Sequence, residues 1–151
     1  MEKYKQFEEN NPDFVNAAEN GNLNACFMLS CTYLGMNEEI GTDLFNEQRA
    51  IYWAEKCLAS GTEEGLCYYA EVLNMAGYLN QKMGFFDNNV YDCYLKARDT
   101  ILKLENSSID SDRWKNIYME IELNLGWLLV NKESYNYDPD DAKSHFSNVY
   151  S

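Results

Sequence analysis

Apolar residues recur every three or four positions along almost the whole chain. Ala25, Cys26, Leu29 and Tyr33 make one stripe, and Ala50, Trp53, Ala54, Cys57 and Leu58 a second. Leu66, Tyr69, Ala70 and Leu73 make a third. Val90, Cys93, Tyr94, Ala97, Ile101 and Leu104 follow, then Ile117, Ile121, Leu125, Leu128 and Leu129. A helix turns once in about 3.6 residues, so each set falls on one helical face. No run of β-branched residues bounded by turn dipeptides competes with this pattern. The reading is an all-α protein. Two prolines and eight glycines in 151 residues are too few for the frequent turns of a β-sandwich. The length suits one domain, here 1–151, with a core that needs no staples.

Local signals place the helix ends. Asn11-Pro12-Asp13 and Asp138-Pro139-Asp140-Asp141 read as helix starts, with a capping side chain, proline at the first turn and acids toward the positive end of the dipole. The second lacks the spacing and distal glutamate of a calcium loop. Ala59-Ser60-Gly61-Thr62 and Met75-Ala76-Gly77 read as helix ends. Residues 35–46 and 74–89 then become loops, and a long helix is expected over about 87–106. Met83, Phe85 and Phe86 would lie in the second loop, either anchored in the core or exposed for contact.

These segments repeat. Ala17-Ala18-Glu19-Asn20-Gly21 matches Cys57-Leu58-Ala59-Ser60-Gly61, an offset of 40 (17 against 57). Ala25, Leu29, Ser30 and Tyr33 match Gly65, Tyr69, Ala70 and Leu73 at that offset, and Ala50, Ala54, Lys56 and Cys57 match Val90, Tyr94, Lys96 and Ala97. A third copy at another spacing holds Ile121, Leu125, Gly126 and Leu129, then Ala142, Phe146 and Val149. Two helices per unit at such a period indicate an α-solenoid of about three repeats.

The unit resembles the Sel-like repeat, a relative of the tetratricopeptide repeat. That family's first helix carries Ala-x-x-x-Leu-Gly-x-x-Tyr. Ala25…Leu29-Ser30…Tyr33 follows it, as do Gly65…Tyr69-Ala70…Leu73 and Ile121…Leu125-Gly126…Leu129. The second helix carries Ala-x-x-Trp-x-x-Lys-Ala-Ala-x-x-Gly, and residues 50–61 fit it. Ser30, Ala70 and Gly126 are the small residues that admit the paired helix. The family's Gly-x-Gly-x-x-x-Asp turn is missing after Leu34 and Leu73, and Ile121 replaces a small residue. The resemblance implies antiparallel helix pairs in a right-handed superhelix. Its partner would lie on the concave face, lined by first helices. By register the contact positions are Asn24, Phe27, Cys31 and Leu34, then Glu64, Cys67, Glu71 and Asn74, then Glu120, Leu123, Trp127 and Val130. Aromatics among acids and amides suit an interface, although Phe27, Leu123 and Trp127 could equally pack against neighbouring segments.

Charge narrows the partner. Twelve Lys+Arg against 25 Asp+Glu give a formal net charge of −13 and a pI near 4.3. Phosphate backbones and anionic membranes are disfavoured, and a basic protein is favoured. No 18-residue apolar run and no signal-peptide core occurs in the sequence. Cys26, Cys31, Cys57, Cys67 and Cys93 are odd in number, without a Cys-x-x-Cys pair. Reduced thiols in a core and a cytoplasmic location are the expectation.

Catalytic patterns are missing. His145 is the single histidine, at the position that Trp53 holds in the second-helix pattern, and packing on the last helix is its expected role. No phosphate-binding glycine loop, dinucleotide fingerprint or nucleophile elbow occurs. Glu8-Glu9, Glu38-Glu39 and Glu63-Glu64 are adjacent acids. On a helix neighbours diverge, so these are expected to be solvated and not catalytic dyads. The sequence therefore points to a non-catalytic protein-binding module without cofactor or metal. Its most concrete version is an immunity or inhibitor protein for a cognate toxin. An adaptor or regulatory subunit of a larger assembly is the alternative. Nucleic-acid mimicry fits less well, because the acids are interleaved with lysines.

Overall fold

The computed structural model describes residues 2–84, 88–107, 111–134 and 136–150, without the side chains of Asn88 and Ser111. Among the described residues there are eight helices and no strand. They are α1 (Lys3–Asn10), α2 (Pro12–Glu19), α3 (Leu23–Tyr33) and α4 (Glu47–Ala59), then α5 (Glu63–Lys82), α6 (Asn88–Leu102), α7 (Ser111–Val130) and α8 (Pro139–Tyr150). The chain forms two compact units, Met1–Val72 and Leu73–Ser151, and α5 contributes to both.

In the first unit α2 packs on α1 and α3, and α3 packs on α4. Leu29, Tyr33, Ala50, Trp53 and Ala54 are fully buried. The Ser30 hydroxyl donates to the Ala50 carbonyl at 2.7 Å, so a small side chain sits where α3 crosses α4. Cys26 and Cys57 belong to this core, their thiols donating to the carbonyls of Ala18 and Leu23 at 3.3 and 3.8 Å. The 40-residue recurrence is visible in the turns. Gly21 has φ 95° and Asn22 accepts from the Ala25 amide at 3.0 Å. Gly61 has φ 68° and Thr62 accepts from the Gly65 amide at 3.0 Å. Glycine is needed at 65 for another reason: a Cβ there would lie 2.2 Å from the Cys57 carbonyl oxygen.

Two details of this unit differ from expectation. Pro12 does open α2, but Asn11 donates back to the Phe7 carbonyl at 2.8 Å and closes α1. Glu8 is no solvated acid, for its side chain is only 12% exposed. Its carboxylate accepts from Arg49 Nε and Nη2 at 2.8 and 2.6 Å, from the Tyr33 hydroxyl at 2.6 Å and from Trp53 Nε1 at 3.3 Å. Burial pushes this carboxyl upward, but those hydrogen bonds and the guanidinium charge outweigh it and hold it below its usual range. An amphipathic α1 thereby acquires a polar anchor on α3 and α4.

In the second unit α7 packs on both α6 and α8. Tyr94, Ala97 and Ile101 meet a core that includes Ile121, Leu125 and Leu128. A Cβ on Gly126 would lie 2.6 Å from Phe146 Cε1, so the missing side chain admits the α8 ring. The expected cap at Asp138 is present, its carboxylate accepting from the Asp141 amide at 3.1 Å. At the centre stands Glu122, with no exposed surface. It accepts from Arg98 Nε of α6, from Asn148 Nδ2 at 2.8 Å and from His145 Nδ1 at 2.8 Å. His145 Nε2 also lies 3.6 Å from Asp141.

Two expected boundaries move. α5 does not stop at Met75-Ala76-Gly77 but continues to Lys82, and Gly84, with φ 92°, follows its end. Gly77 is a packing residue: a Cβ on it would lie 2.7 Å from Tyr94 Cε1. Residues 74–82 are therefore helix and not loop. Met83 is exposed, whereas Phe85 and Phe86 lie outside the described residues. The helix expected over about 87–106 ends at Leu102, where three-residue hydrogen bonds from the amides of Lys103, Leu104 and Glu105 tighten the chain. Its expected first residue, Asp87, is outside the described set.

Gly77→Ala tests the packing role. Alanine favours a helix interior by about 1 kcal/mol over glycine. Tyr94, however, is fully buried and its hydroxyl donates to Gln81 at 2.7 Å, so the ring has no room to yield. Overpacking costs about 1–3 kcal/mol, and urea unfolding is expected to show a net loss of stability.

The Glu122 network predicts a pH optimum of stability. Burial pushes the Glu122 carboxyl up, but hydrogen bonds from His145, Asn148 and Arg98 bring it below its usual 4.5. The Glu122 hydrogen bond raises His145 above its usual 6.5, against an opposing effect of burial, with Asp141 assisting and Arg98 opposing. The Glu122 contribution is present above about 4.5 and fades as pH falls through the lowered folded value. The His145 contribution is present below about 6.5 and fades as pH rises through the raised folded value. Both are in full between those values. Urea midpoints against pH are expected to lose their alkaline fall in His145→Asn and keep the acid one. Arg98→Met, which removes one of the two cations facing the buried carboxylate and leaves His145 as the other, should cost about 1.5–3 kcal/mol.

Candidate protein-binding cleft

The residues expected to contact a partner divide by unit. In the first unit Phe27 is half-buried and stacks on Tyr68, ring centroids 4.4 Å apart at 17°. Tyr68 donates its hydroxyl to Glu64 at 2.9 Å, and Glu64 is exposed. Phe27, Tyr68 and Glu64 thus form a small surface patch, with Asn24 exposed on α3. Cys31 and Glu71 are half-buried neighbours: burial first, then the Glu71 charge, pushes the Cys31 thiol up to about 11. A thiol so held stays protonated and unreactive near neutral pH. Two expected contacts prove to be core. Leu34, the residue that caps the end of α3, is 2% exposed, and Cys67 in the first half of α5 is fully buried.

In the second unit the C-terminal half of α5 and α7 border a cleft. Asn74, Met75 and Tyr78 face Glu120, Leu123 and Asn124 across about 280 Å³. The space continues into about 320 Å³ lined by Tyr78, Gln81, Lys82, Asn124 and Trp127. Asn74, Glu120, Leu123 and Trp127 of the expected set are thus brought together. Asn124 Nδ2 donates to Asn74 Oδ1 at 2.9 Å and ties the two walls at one point. Each amide retains further capacity to donate or accept. Trp127 is 61% exposed and Tyr78 49%, large areas for aromatic side chains. Trp127 is held from behind by Phe146, ring to edge at 5.3 Å and 72°. Val130, also expected as a contact, is 40% exposed and opens instead onto a shallow space of about 370 Å³ with Phe146 and Tyr150.

Met75, Tyr78, Gln81, Lys82 and Asn124 were not anticipated as lining residues. Tyr78, Gln81 and Lys82 follow from the continuation of α5 past Gly77, and with Met75 they extend the stripe begun at Asn74.

The cleft combines apolar, aromatic, amide and acidic side chains. Among the described residues no group of three His, Cys, Asp or Glu side chains could hold a metal ion. No described helix is long and apolar enough to cross a membrane. Its walls offer apolar floor, aromatic faces, amides and one acid, which can fix a bound group by contact and hydrogen bonds. Comparison with known proteins finds no counterpart: no family model, no curated protein and no solved structure matches the chain.

Proposed function

We propose that the chain is a non-catalytic module that binds a protein partner through the α5–α7 cleft. The observation that carries this reading is the exposed pair Tyr78 and Trp127 beside an amide-lined cleft. Aromatic anchors of this exposure, ringed by polar groups, are typical of interface centres. The net charge of −13 favours a basic partner and speeds encounter with it. The chain is read as a Sel-like repeat solenoid. The matched turns at Gly21-Asn22 and Gly61-Thr62 support that reading, as do the small residues Ser30 and Gly126 where α3 meets α4 and α7 meets α8. Within this class an immunity or inhibitor protein is the most concrete role, and an adaptor subunit the alternative.

A benzophenone amino acid at position 78 is expected to cross-link a partner in the native cell, while the same probe at the exposed position 55 on α4 does not. With the purified partner, Trp127→Ala should weaken binding about 30-fold, the loss of about 2 kcal/mol common for an anchor. Stoichiometric inhibition of the partner's activity identifies an inhibitor; an active complex identifies an adaptor. Equal cross-linking from both positions, or unchanged affinity of the variant, counts against the cleft.

A further inference from the structure

The half of the cleft around Tyr78 and Glu120 has a chemistry of its own. At about 280 Å³ it lies at the lower edge of small-molecule sites, which run from about 300 Å³ upward, and is of a size for one long side chain. Met75 and Leu123 supply a half-buried apolar wall. Tyr78 presents an exposed ring and Glu120 an exposed carboxylate. Among the described residues Glu120 has no cationic partner. Lys82 borders the other half of the cleft, beside Trp127 and beyond the shared Tyr78.

An apolar wall that ends in an aromatic face and a carboxylate complements a side chain with a methylene stem and a cationic head. The stem needs the wall, and the head needs the acid. A planar guanidinium satisfies both polar elements at once, because it stacks on a ring and bonds a carboxylate through two N–H groups. A carboxylate ligand would meet Glu120 at close range, and a fully apolar one would leave that acid without a partner. The overall charge acts in the same sense over longer distances. In the adjoining half Lys82 repels a cation, so a basic head is directed to the Glu120 side.

We infer that this half of the cleft is a subsite for an arginine side chain of the docked protein. Its stem lies on Met75 and Leu123, and its guanidinium between the Tyr78 ring and the Glu120 carboxylate. The inference rests on the protein-binding reading of the cleft and adds the residue that the cleft selects.

The test uses the full ¹⁵N-labelled chain and capped peptides Gly-Leu-Xaa-Leu-Gly, with arginine, its neutral isostere citrulline, or glutamate at Xaa. The arginine peptide should shift the amide resonances of Tyr78, Glu120 and Leu123. Citrulline should bind about tenfold more weakly and glutamate more weakly still, as loss of a charge-assisted contact requires. Glu120→Gln, an exposed substitution whose fold the same spectra report, should remove the preference for arginine over citrulline. Equal binding of arginine and citrulline peptides overturns the arginine subsite and leaves the cleft as a docking site. No shift with any peptide, or shifts confined to residues outside the cleft, overturns both.

Discussion

An ionised carboxylate taken out of water costs several kcal/mol unless donors meet it. Glu122 is fully buried, and so the second unit is arranged around its demand. α6 must bring Arg98, and α8 must bring His145 and Asn148. Apolar packing alone lets a helix slide or rotate by small steps at small cost, since one leucine substitutes for another. A carboxylate with named donors on two other helices fixes the register of all three. Glu8 acts in the same way in the first unit, where Arg49, Tyr33 and Trp53 converge on it. Trp53 and His145 each stand three residues after a buried alanine, Ala50 and Ala142. Each gives a ring N–H to a glutamate.

Much of this architecture was legible because helical period is a property of neighbours in sequence. The five stripes became the buried faces of α3 to α7, and the turns at Gly21 and Gly61 fell where the recurrence put them. What escaped depended on distant partners. A glycine in a helical pattern can end the helix or make room for another, and only Tyr94 distinguishes the two at Gly77. An acid beside an acid reads as solvated until Arg49, 41 positions on, is found against Glu8. Glu122 was hidden by its surroundings: a lone acid in the stripe of α7 carries no mark of the three donors waiting for it.

The lining of the α5–α7 cleft was legible by half, for the same reason. Register alone placed Asn74, Glu120, Leu123 and Trp127 on one wall or the other. The opposite contributions from Tyr78 and Lys82 required knowing that α5 is 20 residues long. Leu34 and Cys67 show the limit of register. The same register position is buried at Leu34 and exposed at Val130.

The three indoles sit in three different environments. Trp53 is fully buried against a carboxylate, Trp114 is 7% exposed, and Trp127 is 61% exposed. Their emission therefore separates by colour and by access to a dissolved quencher. An aqueous quencher reaches chiefly the indole at the end of the cleft, while the other two are screened by protein. The molecule thus carries its own optical gauge of cleft occupancy, with Trp53 as an internal standard that changes only when the first unit unfolds.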